Sequence, residues 1–212
     1  MMTPSRKWKR RSEARPQEIL DAALALFAEK GFAATRMDEI AMRAGVTKGT
    51  IYLYFESKEQ IFRALIGSSI GTAISGIAER VEHFKGPARD LLRIVLTAVG
   101  EFLMTSDRVV LPKVLISEAG NFPELVRFYR TEIVDRGLAV MIGVITRGIA
   151  SGEFRKIAPE HIARICVAPL LLIAFWRTTF GQFDPRPYDF QGLIDTHIDL
   201  LLRGLAPDKG AP

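Results

Sequence analysis

Cysteine, histidine and long apolar runs are all scarce in this chain. Its one cysteine, Cys166, excludes an internal disulfide and leads us to expect a reducing, cytoplasmic setting. The three histidines, His83, His161 and His197, stand far apart, with neither an H-E-x-x-H helix nor a Cys/His cluster, so no metal site is expected. Neither a P-loop nor a dinucleotide glycine motif occurs, and no cofactor is implied. The longest apolar run, Ile165 to Trp176, has 12 residues between Arg164 and Arg177. A bilayer span needs roughly 20, so a buried helix is expected there, and no membrane partner. The basic N-terminus lacks the following apolar stretch of a secretory signal. Alternating, strand-like patterns do not stand out either.

What is present is the balance of a globular chain, with 48% hydrophobic and 25% charged residues among 212, which argues against disorder. The net charge of +5 is unevenly spread. Residues 1–15 hold six bases (Arg6, Lys7, Lys9, Arg10, Arg11, Arg15) against Glu13 alone. Beyond residue 58 the chain carries 18 bases and 17 acids. A positive end on a nearly neutral body suits the binding of a polyanion such as nucleic acid.

Helical periodicity organises the rest. Pro16 suits the first turn of a helix that carries Ile19, Leu20, Ala23, Leu26 and Phe27 and ends at Gly31. Thr35 stands where an N-cap would open the next helix, with Asp38 three residues on. A short helix from about 47 to 55 follows Gly45. Ser57 and Gln60 form a capping box for a long helix that ends before Gly86-Pro87. Further helices are expected over about 88–105, 110–118, 123–151, 159–180 and 189–203. The expected fold is all-α, with about nine helices: a three-helix head and a helical-bundle body. The expected divisions are a basic arm (1–15), a head (16–60) and a body (61–212), with a polar tail after Gly204.

The stretch Thr35 to Lys58, TRMDEIAMRAGVTKGTIYLYFESK, has the grammar of a helix-turn-helix. Ile40, Ala41 and Ala44 make the first helix amphipathic, Gly45-Val46 breaks it, and Ile51 and Phe55 turn inward from the second. Gly49, Thr50, Tyr52 and Leu53 then face outward. Gly49 costs about 1 kcal/mol of helix propensity, and lets a backbone approach closely in return. A short helix rich in hydroxyls suits a DNA major groove.

Residues 18–62 resemble the tetracycline-repressor (TetR) family, through EILDAALALFAEKGFAATRMDEIAMRAGV, TKGTIYLYF and the ESKEQIF that opens the fourth helix. The body segments ISEAGNFPELVRFY, APLLLIAFWRTTF and GLIDTHIDLLLRGL are similar to those of a common subgroup. The resemblance implies a ligand-responsive transcriptional repressor that binds a palindromic operator in double-stranded DNA as a homodimer. It implies phosphate contacts from Thr35, Tyr54 and Lys58, with Thr47, Lys48, Gly49, Thr50 and Tyr52 in the major groove. Lys48 is then a candidate guanine reader, and Thr50 and Tyr52 candidates for thymine methyls. The competing reading of Tyr54 is a packing residue beside Phe55.

In this family the last two helices form a four-helix bundle with the partner. That points to Val167, Leu170, Leu171 and Ala174, with Ile194, Ile198, Leu201 and Leu202, as the dimer interface, although both stripes also fit an intrachain core. A small hydrophobic or aromatic effector is expected. Its candidate lining is Phe102, Phe122, Phe128, Tyr129, Met141, Trp176 and Phe180, with Met104 also of the right kind. Glu101, Glu118 and Arg177 are candidates for orienting a polar group. Each of these also reads as ordinary core or surface.

Two other classes of function compete. Gly67-Ser68-Ser69-Ile70-Gly71 matches the serine-hydrolase pattern G-x-S-x-G, but that motif needs a strand–turn–helix setting and here the helical period runs through it. Catalysis is therefore not expected. The alternative regulator is one whose body senses a protein partner and not a small molecule. The basic arm, with Trp8 among Arg6, Lys7, Lys9, Arg10 and Arg11, reads either as a minor-groove arm or as a solubilising tail. If it lies on DNA, deleting residues 1–12 should weaken operator binding and flatten its salt dependence. An unchanged salt slope in a titration from low to high salt would remove the arm from the interface.

Overall fold

The computed structural model describes residues 6–207, with side chains from Arg15 onward. The side chains of the basic arm, Trp8 among them, and the end of the polar tail lie outside the described residues. The described residues are helical and contain no strand. They form α1 (Arg6–Lys30), α2 (Met37–Arg43), α3 (Lys48–Tyr54), α4 (Lys58–Ile66), α5 (Thr72–His83), α6 (Ala88–Thr105), α7 (Val110–Ser117), α8 (Pro123–Tyr129), α9 (Arg136–Ala150), α10 (Pro159–Thr179) and α11 (Phe190–Leu205). Two π-turns, Gly67–Gly71 and Arg130–Asp135, join α4 to α5 and α8 to α9. With each joined pair taken as one run, the described residues hold the nine helices expected.

Two local expectations are corrected. The first helix begins at Arg6, ten residues before Pro16, which lies inside it. The segment RKWKRRSEAR is rich in good helix formers, and that propensity outweighs the proline as a starting signal. The cap of α2 is Arg36, whose extended backbone donates its N–H to Glu39 Oε2 at 2.8 Å. Thr35 and Asp38 do not form the box. The long helix expected from 123 to 151 runs from Pro123 to Ala150, with its π-turn inside it.

The chain divides into two compact units. The first holds the described residues up to Ser69 together with Leu111–Phe128, and the second holds Ile70–Val110 with Tyr129 onward. The expected boundary near residue 60 is thus displaced, and a distant segment joins the head. The reason is apolar surface. Ile61, Phe62, Leu65 and Ile66 of α4 are buried, and Phe62 meets Phe27 and Phe32 edge-on at 6.0 and 5.5 Å between ring centroids. Phe122, from the distant segment, packs on Phe32 at 4.8 Å, nearly perpendicular. Such edge-to-face pairs contribute about 0.5–1.5 kcal/mol beyond the area they bury.

The second unit is built around α6, whose Leu91, Leu92, Val95 and Leu96 face Val144 and Ile145 of α9, Cys166, Leu170 and Ile173 of α10, and Ile194 and Ile198 of α11 in one core. Its turns are closed by charged side chains. Glu153 accepts the N–H groups of Ala88 and Arg89 at 2.9 and 3.2 Å and so caps α6. Arg147 donates to the carbonyls of Phe84 and Gly86, both at 2.7 Å. Burial pushes the Cys166 thiol up to about 12, so it stays protonated in the core.

Helix α10 has two apolar faces. The inner one carries Ile162, Cys166, Leu170 and Ile173; the outer one exposes Ile165, Leu171, Leu172 and Phe175. The expected dimer stripe is therefore corrected. Leu170, Ala174, Ile194, Ile198 and Leu201 belong to the core of their own unit, and Val167 and Leu202 pack partly buried against it. Of the eight, Leu171 is exposed. The expectation of a buried helix holds for the inner face of α10 and not for the outer one. By length and composition alone, α10 and the run Lys58–His83 could each cross a membrane. A protein interface accounts equally well for one exposed stripe on an otherwise packed helix.

Candidate nucleic-acid interface

The turn between α2 and α3 is set by Gly45 at φ +66, a left-handed conformation that side chains disfavour. Gly45 N–H bonds the Met42 carbonyl at 3.2 Å and Val46 N–H bonds that of Ala41 at 2.9 Å. These two bonds close the end of α2 as a Schellman motif. The chain then leaves in the direction needed for Thr47 to cap α3. Thr47 is extended, and its hydroxyl accepts the Thr50 N–H at 3.1 Å. Ile51 is fully buried and anchors α3 to the head. Phe55, expected to be buried with it, is half-buried at the end of the helix.

The outward face of α3 carries what was expected of it. Thr47, Lys48, Gly49 and Tyr52 are exposed, and Thr50 and Tyr54 partly so. Leu53 is 82% exposed and Met42, on α2, 77%; Met42 gave no sequence signal beyond being an apolar residue off its helix's buried face. The Lys48 ammonium meets the Asp38 carboxylate at 3.0 Å, bridging the two helices of the motif. The hydrogen bond to Asp38 raises the Lys48 pKa. Both side chains are exposed, so the pair exchanges cheaply for a base or a phosphate. Nothing inside the head needs a glycine at 49: a Cβ there would meet only Thr47 Oγ1, at 3.9 Å.

Two of the expected phosphate ligands point inward. Thr35 is 1% exposed. Its hydroxyl donates to the Gly31 carbonyl at 2.7 Å, and its N–H bonds the Phe32 carbonyl. Lys58 Nζ donates to the carbonyls of Phe32, Ala33 and Thr35 at 2.9, 3.0 and 3.3 Å. It also lies 4.6 Å from the Phe32 ring centroid and 5.5 Å from that of Phe122. The carbonyls of Gly31, Phe32, Ala33 and Thr35, in the turn between α1 and α2, take donors from these two residues. Ser57 does cap α4, accepting the Gln60 N–H at 3.3 Å.

The expected effector lining is divided between the two units. Phe122 and Phe128 belong to the first unit, where Phe128 lies under the Arg63 guanidinium at 4.6 Å. Met141 is core in the second unit, and Phe102 and Met104 pack partly buried against that core. Trp176 and Phe180 join Phe175 and Tyr188 in an aromatic cluster, with Trp176 Nε1 donating to Asp184. Tyr129 is in the second unit, and burial pushes its phenol up to about 12. Of the polar candidates, Arg177 donates to the Leu103 carbonyl at 2.5 Å, and Glu118 is buried in the first unit. Side chains of a packed helical body fill their own core, so type and spacing do not single out pocket residues. The hydrolase-like GSSIG lies in the π-turn, with the Ser69 hydroxyl bonded to the Leu65 carbonyl.

A capped, glycine-turned helix pair with an outward second helix defines a helix-turn-helix DNA-binding protein. Residues 19–65 match the model of the bacterial regulatory proteins of the tetR family. Over 188 residues, 89% of this chain and 94% of the relative, the chain is 29% identical to the fatty acid metabolism regulator protein of Bacillus subtilis. It is 30% identical over 147 residues to the transcriptional repressor KstR2 of Rhodococcus jostii, covering 67% of this chain and 69% of that one. The crystal structure of Bacillus subtilis FadR in complex with stearoyl-CoA superposes with a TM-score of 0.74 at 26% identity, over 89% of this chain and 98% of that one. The chain belongs to the TetR family of transcriptional regulators. Its family and relatives are regulators and not enzymes.

Replacing Gly49 by Ala separates the two demands on that position. The head should gain up to about 1 kcal/mol of stability from helix propensity, read by urea unfolding, while operator affinity falls. A variant that binds operator as well as the parent would show that no backbone approach occurs there.

Proposed function

We propose that the protein is a dimeric repressor that reads a palindromic operator through α3 and leaves it when the body binds a small hydrophobic effector. The observation that carries the DNA-binding part is the outward set Thr47, Lys48, Gly49, Thr50 and Tyr52, on a helix anchored by Ile51. Tyr54 and the exposed Leu53 extend that face. Base edges are read by Lys48 and by thymine-methyl contacts from Thr50 and Tyr52. The arm before Arg15 adds positive field on the same unit. The protein acts in the cytoplasm, where the operator is, and has no membrane partner.

The dimer uses the outer face of α10. Ile165, Ala168, Leu172 and Phe175 recur at spacings of three, four and three, the period of a helix–helix seam, and Leu200 exposes an apolar side chain on α11. Two copies joined there would present two recognition helices to half-sites about 34 Å apart or a multiple of it. Leu172→Arg with Phe175→Arg should yield a monomer in sedimentation and lower operator affinity at least tenfold, because the second half-site no longer assists the first. A dimer that persists in this variant would move the interface elsewhere.

The effector class follows the relatives. The FadR of Bacillus subtilis was captured with stearoyl-CoA. A long-chain acyl-CoA is the first candidate. The ligand must bind the DNA-free state more tightly for release to follow. Stearoyl-CoA should raise the dissociation constant for a genome-selected operator at least tenfold at fixed salt, and coenzyme A alone should not. If stearoyl-CoA and a panel of apolar aromatic compounds all left the constant unchanged, release by a small hydrophobic effector would be wrong.

A further inference from the structure

The DNA-binding unit is completed by a segment more than forty residues beyond its last helix, and a buried carboxylate makes the connection. Glu118 stands just past α7 in Leu111–Phe128, the segment that packs with the head. It is 9% exposed. Its Oε1 accepts the N–H of Ala33 at 2.9 Å, and its Oε2 accepts from Asn121 Nδ2 at 3.1 Å. Ala33 lies in the turn between α1 and α2, where no helix supplies a partner for that N–H. A carboxylate buried among Phe32, Phe62, Val114, Leu115, Phe122 and Leu125 needs such donors.

The same turn is gripped from its other side by Lys58, which takes the carbonyls of Phe32, Ala33 and Thr35. Donor and acceptor groups of Ala33 are therefore held by opposite charges from two elements distant in sequence. Gly31 opens the turn at φ +83, and a Cβ there would come within 3.6 Å of Glu118 Oε1. The turn ends at Arg36, the cap of α2, so its placement sets where α2 begins and, through the Gly45 turn, where α3 points.

We propose that Glu118 is a positioning residue for operator binding: it touches no DNA, and fixes the α1–α2 turn from the segment 111–128 so that the recognition helix is presented ready for the groove. The role rests on the DNA-binding reading above. Its energetic logic is preorganisation. A turn released from Glu118 must be ordered again when DNA binds, and that cost appears as lost affinity without any lost contact.

Glu118→Gln keeps the reach and an acceptor oxygen for Ala33 N–H. Glu118→Asp keeps the charge but is one methylene too short. With a genome-selected operator fragment, Glu118→Gln should bind within threefold of the parent. Glu118→Asp should bind at least tenfold more weakly, with the same salt slope, and its Ala33 amide should exchange at least tenfold faster. Near-parental binding by Glu118→Asp would overturn the role, as would equal weakening of both variants or a flattened salt slope, which marks a lost phosphate contact. Weak binding by Glu118→Asp that coincides with global unfolding at the assay temperature would overturn it in favour of a purely structural one. If the parent chain selects no DNA at all, the DNA-binding reading fails and not the assignment of Glu118 within it.

Discussion

The ammonium of Lys58, seated on three carbonyls of the turn between α1 and α2, is the interaction on which the DNA-binding unit depends. A turn outside any helix has no intrahelical donors for its carbonyls, and partial burial makes them costly to leave unpaired. Hydrogen bonds from a charged donor contribute about 1.5–3 kcal/mol each. Lys58 provides three, with the faces of Phe32 and Phe122 beside it. One side chain thereby ties α4 to the turn that starts the helix-turn-helix. Thr35, bonded inward to Gly31, completes the lining of that turn.

That arrangement explains a division of labour within the motif. Residues that look like phosphate ligands by type and position, Thr35 and Lys58, are consumed in holding the motif together. Residues on α3 with no internal duty are left facing out. Gly49 is the plainest case, because the head would accept a Cβ there and a helix would prefer one. Lys48 lies between the two groups. It is paired with Asp38, but both are exposed, so the pair orients the ammonium without committing it.

In the second unit the same question, which apolar face turns inward, is decided by packing. Helix α10 carries enough apolar residues for two stripes. Leu170 and Ala174 were as plausible a seam as Leu172 and Phe175 when only their spacing was known, because both sets recur at helical intervals. Burial against α6 and α9 selects the first set for the core and leaves the second exposed. The aromatic residues divide in the same way: Phe122 turns out to belong to the DNA-binding unit, where it packs on Phe32.

The all-α class, the order and rough ends of the helices, the Gly45 turn, the Ser57 cap and the outward face of α3 were determined by the sequence itself. Each rests on interactions within a few residues: a helical period, a cap, a glycine at positive φ. Tertiary structure alone decided that Lys58 and Thr35 face inward and which stripe of α10 is core. It also decided that Leu111–Phe128 joins the head and that Glu118 meets Ala33. Those outcomes depend on groups brought together across tens of residues, such as the 85 that separate Glu118 from Ala33. No local pattern encodes which buried donor a distant carboxylate will find.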